Sequence, residues 1–540
     1  MSKGIFFTGG SVFDGSRFLA PGTRVLVERG RIGAVGADVT PGDADVVDLA
    51  GGTLLPGFID AHAHPVQGGA QLRACDLSDA LTAAECLEII ARFAAANPQL
   101  EWITGAGWSM PAFPGGIPTA AALDAVVPDR PVFLPNRDHH GAWVNSRALE
   151  LAGLTKDTPD PADGRIERAV DGSPVGMLQE GAMGLVSRLI PASTEEDLYL
   201  ALLAAQEYLL SLGITGWQDA IVGRGPGDDD VTTAYRRAVS AGKLLVDVVG
   251  AQWWQRDGGL EQLDEMLYRR DHDAVGRFRP TSVKMMLDGV AENHTAALLD
   301  PYYDGHGCQT ENSGLDFIDP GELPRYVTAL DAAGFQVHFH ALGDRAVRNA
   351  LNAVAAARAA NGNSGTRHHL AHLQIIHPDD IPRFASLGAT ANIQPLWATN
   401  EEQMTELTVP FIGERRAAWQ YPFGELAASG AHLAGGSDWP VSSPDPLLGI
   451  HVAVNRSVPE SAGHPLLPHQ ALTRAQALAA YTSGTARING AADSAGAIRA
   501  GYDANFAITD ADLSVIPDAE LCTANVAQTW VRGQLAYGRN

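Results

Sequence analysis

The sequence predicts an α/β chain built around a (β/α)8 TIM barrel. Three observations carry that prediction. Strand-like and helix-like segments alternate through the middle of the chain, polar residues recur at the ends of the strand-like segments, and both termini are β-rich. The eight strand candidates are Leu54 to Ala61, Ile214 to Gln218, Leu244 to Val249, Ser282 to Leu287, Gln336 to Phe339, His369 to Leu373, Thr390 to Gln394 and His432 to Ala434. Between them lie helical stretches such as Glu322 to Ala333 and Asp344 to Ala360. Glu195 to Leu212 is an amphipathic helix with Leu198, Leu202, Ala205, Leu209 and Leu212 three or four apart, and Gly213 is its stop.

The first 50 residues alternate short β-rich runs (Ile5 to Phe7, Val12-Phe13, Arg24 to Glu28, Arg31 to Val35, Asp45 to Asp48) with Gly and Asp clusters, as in an antiparallel meander. Ala504 to Ile508, Val526 to Val531 and Leu535 to Tyr537 repeat the pattern at the other end. We therefore expect residues 1–55 and 490–540 to build one small β-sandwich, and 56–489 to form the barrel. The stretch from about 66 to 194 is too long for one βα connection and holds both a Pro/Gly-rich piece (Pro111 to Pro118) and the strand-like Val132 to Leu134. It reads as an insertion capping the barrel mouth.

Composition narrows function. Of the 540 residues 45% are hydrophobic and 19% charged, and 63 acidic against 38 basic residues give a formal charge of -25. That sign repels nucleic acid and anionic membranes, so neither is an expected partner, although the charge also suits a merely solvated surface. Four cysteines without a CxxC pair form no disulfide framework. With no signal-peptide pattern and no long apolar run, a cytoplasmic homo-oligomer acting on a small molecule is expected.

Chemistry concentrates at strand ends. His62-Ala63-His64 follows Pro56 to Asp60, and residues two apart on a strand face the same side, so both imidazoles can meet one ion. His338 and His340 share a β-rich run, His372 closes His368 to His372, and Asp438 follows an apolar strand and a Gly-Gly-Ser turn. A buried, unpaired carboxylate there is costly, and a metal or hydrogen-bonded partner resolves that cost. Taken singly, His338 also fits a core histidine, and His368 and His369 fit a surface. Lys284 lies in an otherwise apolar strand, where the ordinary alternative is a salt bridge to Asp288 or Glu292.

These motifs resemble the amidohydrolase superfamily, and closely its amidohydrolase family 3 (YtcJ-like) branch, which includes N-substituted formamide deformylase. The likeness runs through Gly51 to Pro65, His139 to Ser146, Lys284 to Gly289, Asn293 to Ala297, Val337 to Val347, Gly435 to Pro440 and Gly496 to Ala507. It implies that His62 and His64 hold one metal and that Lys284, carboxylated by CO2, bridges two. It further implies that His340 and His372 hold the second metal, and that Asp438 is both a ligand of the first and the general base for metal-activated hydroxide. One or two Zn2+ ions are implied, though such ligands accept other divalent metals. His140 and Trp143 become substrate contacts or cap packing, Trp397 a further substrate contact, and Asp344 and Asp288 partners behind the ligands, with Asp344 orienting a histidine. Gly305-His306-Gly307 and His451 match no role. The implied activity is hydrolysis of a non-peptide C–N bond in a small amide, with an N-substituted formamide as the specific candidate. The alternatives are a one-metal deacylase or isomerase, and a non-catalytic scaffold.

Overall fold

The computed structural model describes residues 3–225, 230–459 and 464–539. Its centre is an eight-stranded parallel sheet: β1 Phe58–Ala63, β2 Ile214–Val222, β3 Asp247–Trp253, β4 Phe278–Met286, β5 Gln336–Ala341, β6 His369–His372, β7 Thr390–Ile393 and β8 His432–Gly435. The strands pair in chain order. Closure comes just beyond β8, where Ala63 bridges Trp439, Asp438 N–H donates to the His62 carbonyl and His64 N–H donates to the Trp439 carbonyl, both at 2.7 Å. Gly436 makes this approach feasible, because a Cβ there would lie 2.8 Å from the His62 nitrogen.

The expected first strand, Leu54 to Ala61, is two strands. Thr53–Pro56 joins the terminal domain, and β1 starts at Phe58 after Gly57. A continuous apolar run cannot reveal such a break, since both halves are buried on both faces. The amphipathic helix spans Glu195–Ser211, opens with a reciprocal Thr194/Asp197 capping box and runs into Gly213 at φ 82°. Its apolar stripe is buried against the barrel core.

The termini do meet. A five-stranded sheet interleaves Ser11–Val12, Thr53–Pro56, Phe506–Thr509, Val526–Val531 and Gln534–Gly538, and a four-stranded sheet holds the remaining N-terminal strands. Phe7, Val25 and Val27 of one face Leu54, Phe506 and Ile508 of the other, with Phe7 edge-on to Phe506 at 5.2 Å. The N-terminal part is not a pure antiparallel meander, because Ile5–Thr8 pairs in parallel with Asp45–Asp48.

The insertion carries its own six-stranded sheet, with Gly141–Val144 at its centre between Pro174–Glu180 and Val132–Pro135. Side chains alternate as the pleat requires. Val132, Leu134, Trp143 and Met177 pack on one face, and Phe133, Ala142, Val144 and Leu178 on the other. Among the described residues no helix is long and apolar enough to cross a membrane.

At the amino end of the barrel, the buried Asp331 carboxylate accepts from His368 Nε2 (2.9 Å), Arg358 Nη1 (3.1 Å), Asn361 Nδ2 (2.8 Å) and Ser364 Oγ (2.6 Å). His368 Nδ1 in turn accepts from Val337 N–H at 3.0 Å, tying β5 to the segment before β6. Burial alone would raise the Asp331 pKa, but these donors hold it well below the carboxylate range. A depressed native pKa means stability that is present above the unfolded value of about 4 and lost as pH falls below it. Asp331→Asn should lower stability by about 3 kcal/mol at neutral pH and flatten the acid limb of a Tm-against-pH curve. An unchanged acid limb would mean that the network carries no such linkage.

Candidate metal centre

Strand register assembles the site. Along β4 and β5 Lys284 pairs with His338 and Met286 with His340, and along β5 and β6 His338 pairs with His369. Residues paired across parallel strands share a face, so lysine and histidines stack inward in layers. His62 comes from β1, and His64 and Asp438 follow the ends of β1 and β8. Asp438 Oδ1 lies 3.1 Å from His62 Nε2 and 3.0 Å from His64 Nε2, and its Oδ2 lies 3.8 Å from His372 Nδ1. His62, His372 and Asp438 bring ligand atoms within 4.8 Å of one another. Lys284 Nζ is 3.4 Å from His62 Nε2, and the His340 ring centroid is 4.4 Å from that of His372. Thus His62, His64, Lys284, His340, His372 and Asp438 converge on the carboxyl-end rim, where TIM-barrel sites sit.

Electrostatics suit cation binding. Burial, with Lys284 nearby, pushes His62 down to about 3. Burial likewise holds His338, His340, His369 and His372 well below the usual imidazole value, so their rings are neutral donors of lone pairs. Burial would raise Asp438, but the His62 field and the hydrogen bonds from His62 and His64 hold it well below the carboxylate range. Burial lowers Lys284 to about 7, against the opposing pull of Asp438. The decisive observation is a set of buried ring nitrogens without hydrogen-bond partners: His340 Nε2 and both nitrogens of His372. Leaving such groups bare in a native core costs roughly 1–3 kcal/mol each, and a divalent ion with nitrogen and oxygen ligands satisfies His340 Nε2 and one of the two His372 nitrogens. The residues present fit a metal.

The family pattern described as "Amidohydrolase family" matches residues 45–537. The chain belongs to the amidohydrolase family. Among curated relatives, Protein LONG AFTER FAR-RED 3 of Arabidopsis thaliana is 30% identical, covering 99% of this chain and 91% of that protein. N-substituted formamide deformylase of Arthrobacter pascens is 30% identical, with 95% of each chain covered. Among solved structures, an uncharacterized metal-dependent hydrolase of Pyrococcus horikoshii superposes with a TM-score of 0.73 at 25% identity, covering 96% of this chain and 99% of that one.

Around the rim of this amidohydrolase the remaining predicted residues divide. His140 enters from the insertion, its ring centroid 5.7 Å from that of His340. Its Nδ1 is 3.0 Å from the Glu180 carboxylate, which against the effect of burial raises His140 to about 9. Trp397 stacks on His372, with centroids 5.2 Å apart and planes 4° apart, and lines a cavity of about 840 Å³ beside the centre. Trp143 does not reach the site. It is fully buried in the insertion, edge-on to Phe113, with its indole N–H donating to the Thr119 carbonyl, so its role is packing. Asp344 orients no ligand histidine and accepts from Leu299 N–H instead. Asp288 is likewise a backbone clamp, accepting from Ala297, Leu342 and Gly343 N–H. Neither Asp288 nor Glu292 pairs with Lys284.

Two contributors receive no supporting role in the sequence reading. His338 is no isolated core histidine, since its Nε2 lies 2.7 Å from His62 Nδ1 and fixes which His62 nitrogen faces the centre. The available signal was its spacing of two from His340, which puts both on the inner face. Glu180 lies 40 residues from His140 in sequence, and no local pattern links them. Replacing His338 with Phe should weaken metal retention by roughly ten- to a hundredfold in chelator competition, with the fold intact by circular dichroism. Wild-type metal affinity in that variant would contradict the orienting role.

Proposed function

We propose that this amidohydrolase hydrolyses a non-peptide C–N bond of a small amide, with N-substituted formamides as the first class to test. One observation carries the reading. A complete His-x-His, Lys, His, His, Asp set converges at the barrel rim with unpartnered ring nitrogens, beside a cavity large enough for a small substrate. The sequence likeness to a formamide deformylase supports the choice of class.

His62, His64 and Asp438 would hold one ion, His340 and His372 a second, and Zn2+ suits both sets. Such an ion supplies a Lewis acid and lowers the pKa of water from about 15.7 towards 7. Lys284 would join the two sites. Depressed to about 7, its amine is substantially neutral at physiological pH and can add to CO2, forming an N–C bond and releasing a proton to leave an anionic carbamate. Asp438 would take a proton from the attacking water and return it to the departing amide nitrogen. His140, cationic and anchored by Glu180, has its ring beside that of His340, where it would stabilise negative charge developing on the carbonyl oxygen. Trp397 offers a flat apolar surface for the substrate body.

The compact His62, His372 and Asp438 cluster also favours a second reading, a one-ion deacylase or isomerase. Metal stoichiometry separates the two. Two ions per chain, falling to one in Lys284→Met with loss of turnover, is expected here. One ion, and a Lys284→Met variant that still turns over, favours the alternative. On a panel of N-substituted formamides and simple amides, Asp438→Asn should lower kcat by roughly 10²–10⁴ with little change in KM. Full activity in that variant would remove Asp438 from proton transfer.

A further inference from the structure

The cavity beside the centre, about 840 Å³, has an unusual wall. Among the described residues, Asp76, Asp79, Asp138, Glu292, Glu401 and Glu402 line it against one cation, Arg137. Arg137 is already committed to the Ser78 carbonyl at 2.9 Å. Among the described residues none of the six carboxylates forms an ion pair. Glu292 accepts from the Thr408 hydroxyl at 2.7 Å and has the Gln374 side chain as a further hydrogen-bond partner, and Asp138 accepts from the His140 backbone N–H at 2.8 Å with the Asn136 side chain beside it. Burial raises Asp138, Glu292 and Glu401; His140 opposes this at Asp138 and Arg137 at Glu401, while Asp138 adds to it at Glu292 and Glu292 at Glu401.

A second observation is independent of charge. Gln71 and Gln374 both line the cavity, are 7% and 1% exposed, and have Oε1 atoms without a hydrogen-bond donor. The Gln71 amide orientation is fixed, because its Nε2 donates to Asp76 Oδ1 and Ser78 Oγ. A third observation is aromatic. Tyr208, Trp397, Tyr421 and Trp439 line the same cavity, Trp397 with one face on His372. A pocket of acceptors, unpaired carboxylates and aromatic faces lacks one component, an N–H-bearing cation.

We propose that this cavity recognises a positively charged nitrogen, an ammonium or guanidinium, on the arm of the substrate that projects away from the scissile bond. The substrate class is then a small amide of an amine that carries a second, cationic nitrogen, which rests on the amide-hydrolase reading above. The ionic head would sit among Asp138, Glu292 and Glu401, and its methylene stem along Trp397.

The test uses the metal-loaded full-length enzyme and an isosteric probe pair, butylguanidinium and butylurea, titrated by calorimetry at low salt. Butylguanidinium should bind roughly tenfold more tightly, and the preference should shrink as salt is added. It should also shrink in a Glu292→Gln/Glu401→Gln variant. Should that double variant fold poorly, Glu401→Gln alone and the wild-type salt series give the same readout. Equal binding of the two probes, no binding of butylguanidinium, or a preference insensitive to both salt and substitution would overturn the proposal. Formamide turnover measured in parallel keeps the two readings apart. Turnover of neutral N-alkylformamides without any guanidinium preference defeats the cation proposal alone. Guanidinium selectivity without turnover of any amide defeats the hydrolase reading and supports the cavity chemistry.

Discussion

Barrel closure is the constraint on which the rest of the structure depends. β1 and the segment after β8 are joined by two short backbone hydrogen bonds, and the residues making them are His62, Asp438 and the neighbours His64 and Trp439. Asp60 reinforces the seam from within, accepting from the Ser437 hydroxyl at 2.5 Å and from the N–H groups of Ser437 and His62 at 3.0 Å. Geometry that closes the cylinder therefore also sets the distance between two histidines and a carboxylate. Side-chain packing alone would not need that distance to be so well defined, whereas backbone bonds at both Asp438 and His64 allow little else.

The seam gathers an expensive set of groups. Neutral imidazoles, a lysine and a carboxylate lie buried where an ordinary TIM barrel packs branched aliphatic side chains. Deeper in the barrel the polarity continues, with Gln218 donating to Gln336 and Asn392 to the Ala61 carbonyl. An apolar interior would be cheaper in desolvation. This one instead carries a polar shaft that supports the rim, with His338 and His369 beneath His62. Stability must then come from outside the shaft, where helices such as Asp344–Asn361 bury Val347, Leu351 and Val354 against the strands.

How much of this was legible in sequence follows from which interactions are local. The eight barrel strands were, because each is a short apolar run bounded by Gly or polar residues. Strand ends were too, because His62, His64, His340, His372 and Asp438 are polar where such runs stop. The Thr53–Pro56 break was not, since burial on both faces erases the alternation that marks a boundary. Trp143 shows the converse. Its motif pointed to substrate, yet on a pleated sheet its neighbours Ala142 and Val144 must face the other core, so the indole is committed to the insertion's interior. His338 and Glu180 act across strands or across 40 residues, and only register reveals such partners.

Asp288 and Asp344 make the same point about what supports a ligand. Both were expected behind the histidines, and both serve backbone instead. Asp288, raised by burial to about 7 although three N–H groups pull it down, holds Ala297, Leu342 and Gly343 around one carboxyl group. Leu342 lies two residues beyond His340, and Ala297 belongs to the loop whose Thr295 hydroxyl donates to Glu180 at 2.8 Å. One side chain after β4 therefore couples the His340 end of β5 to the loop on which His140 and the insertion rest. Rigidity at the centre is inherited from loops clamped by main-chain hydrogen bonds, and Trp397, stacked on His372, carries that order into the cavity wall.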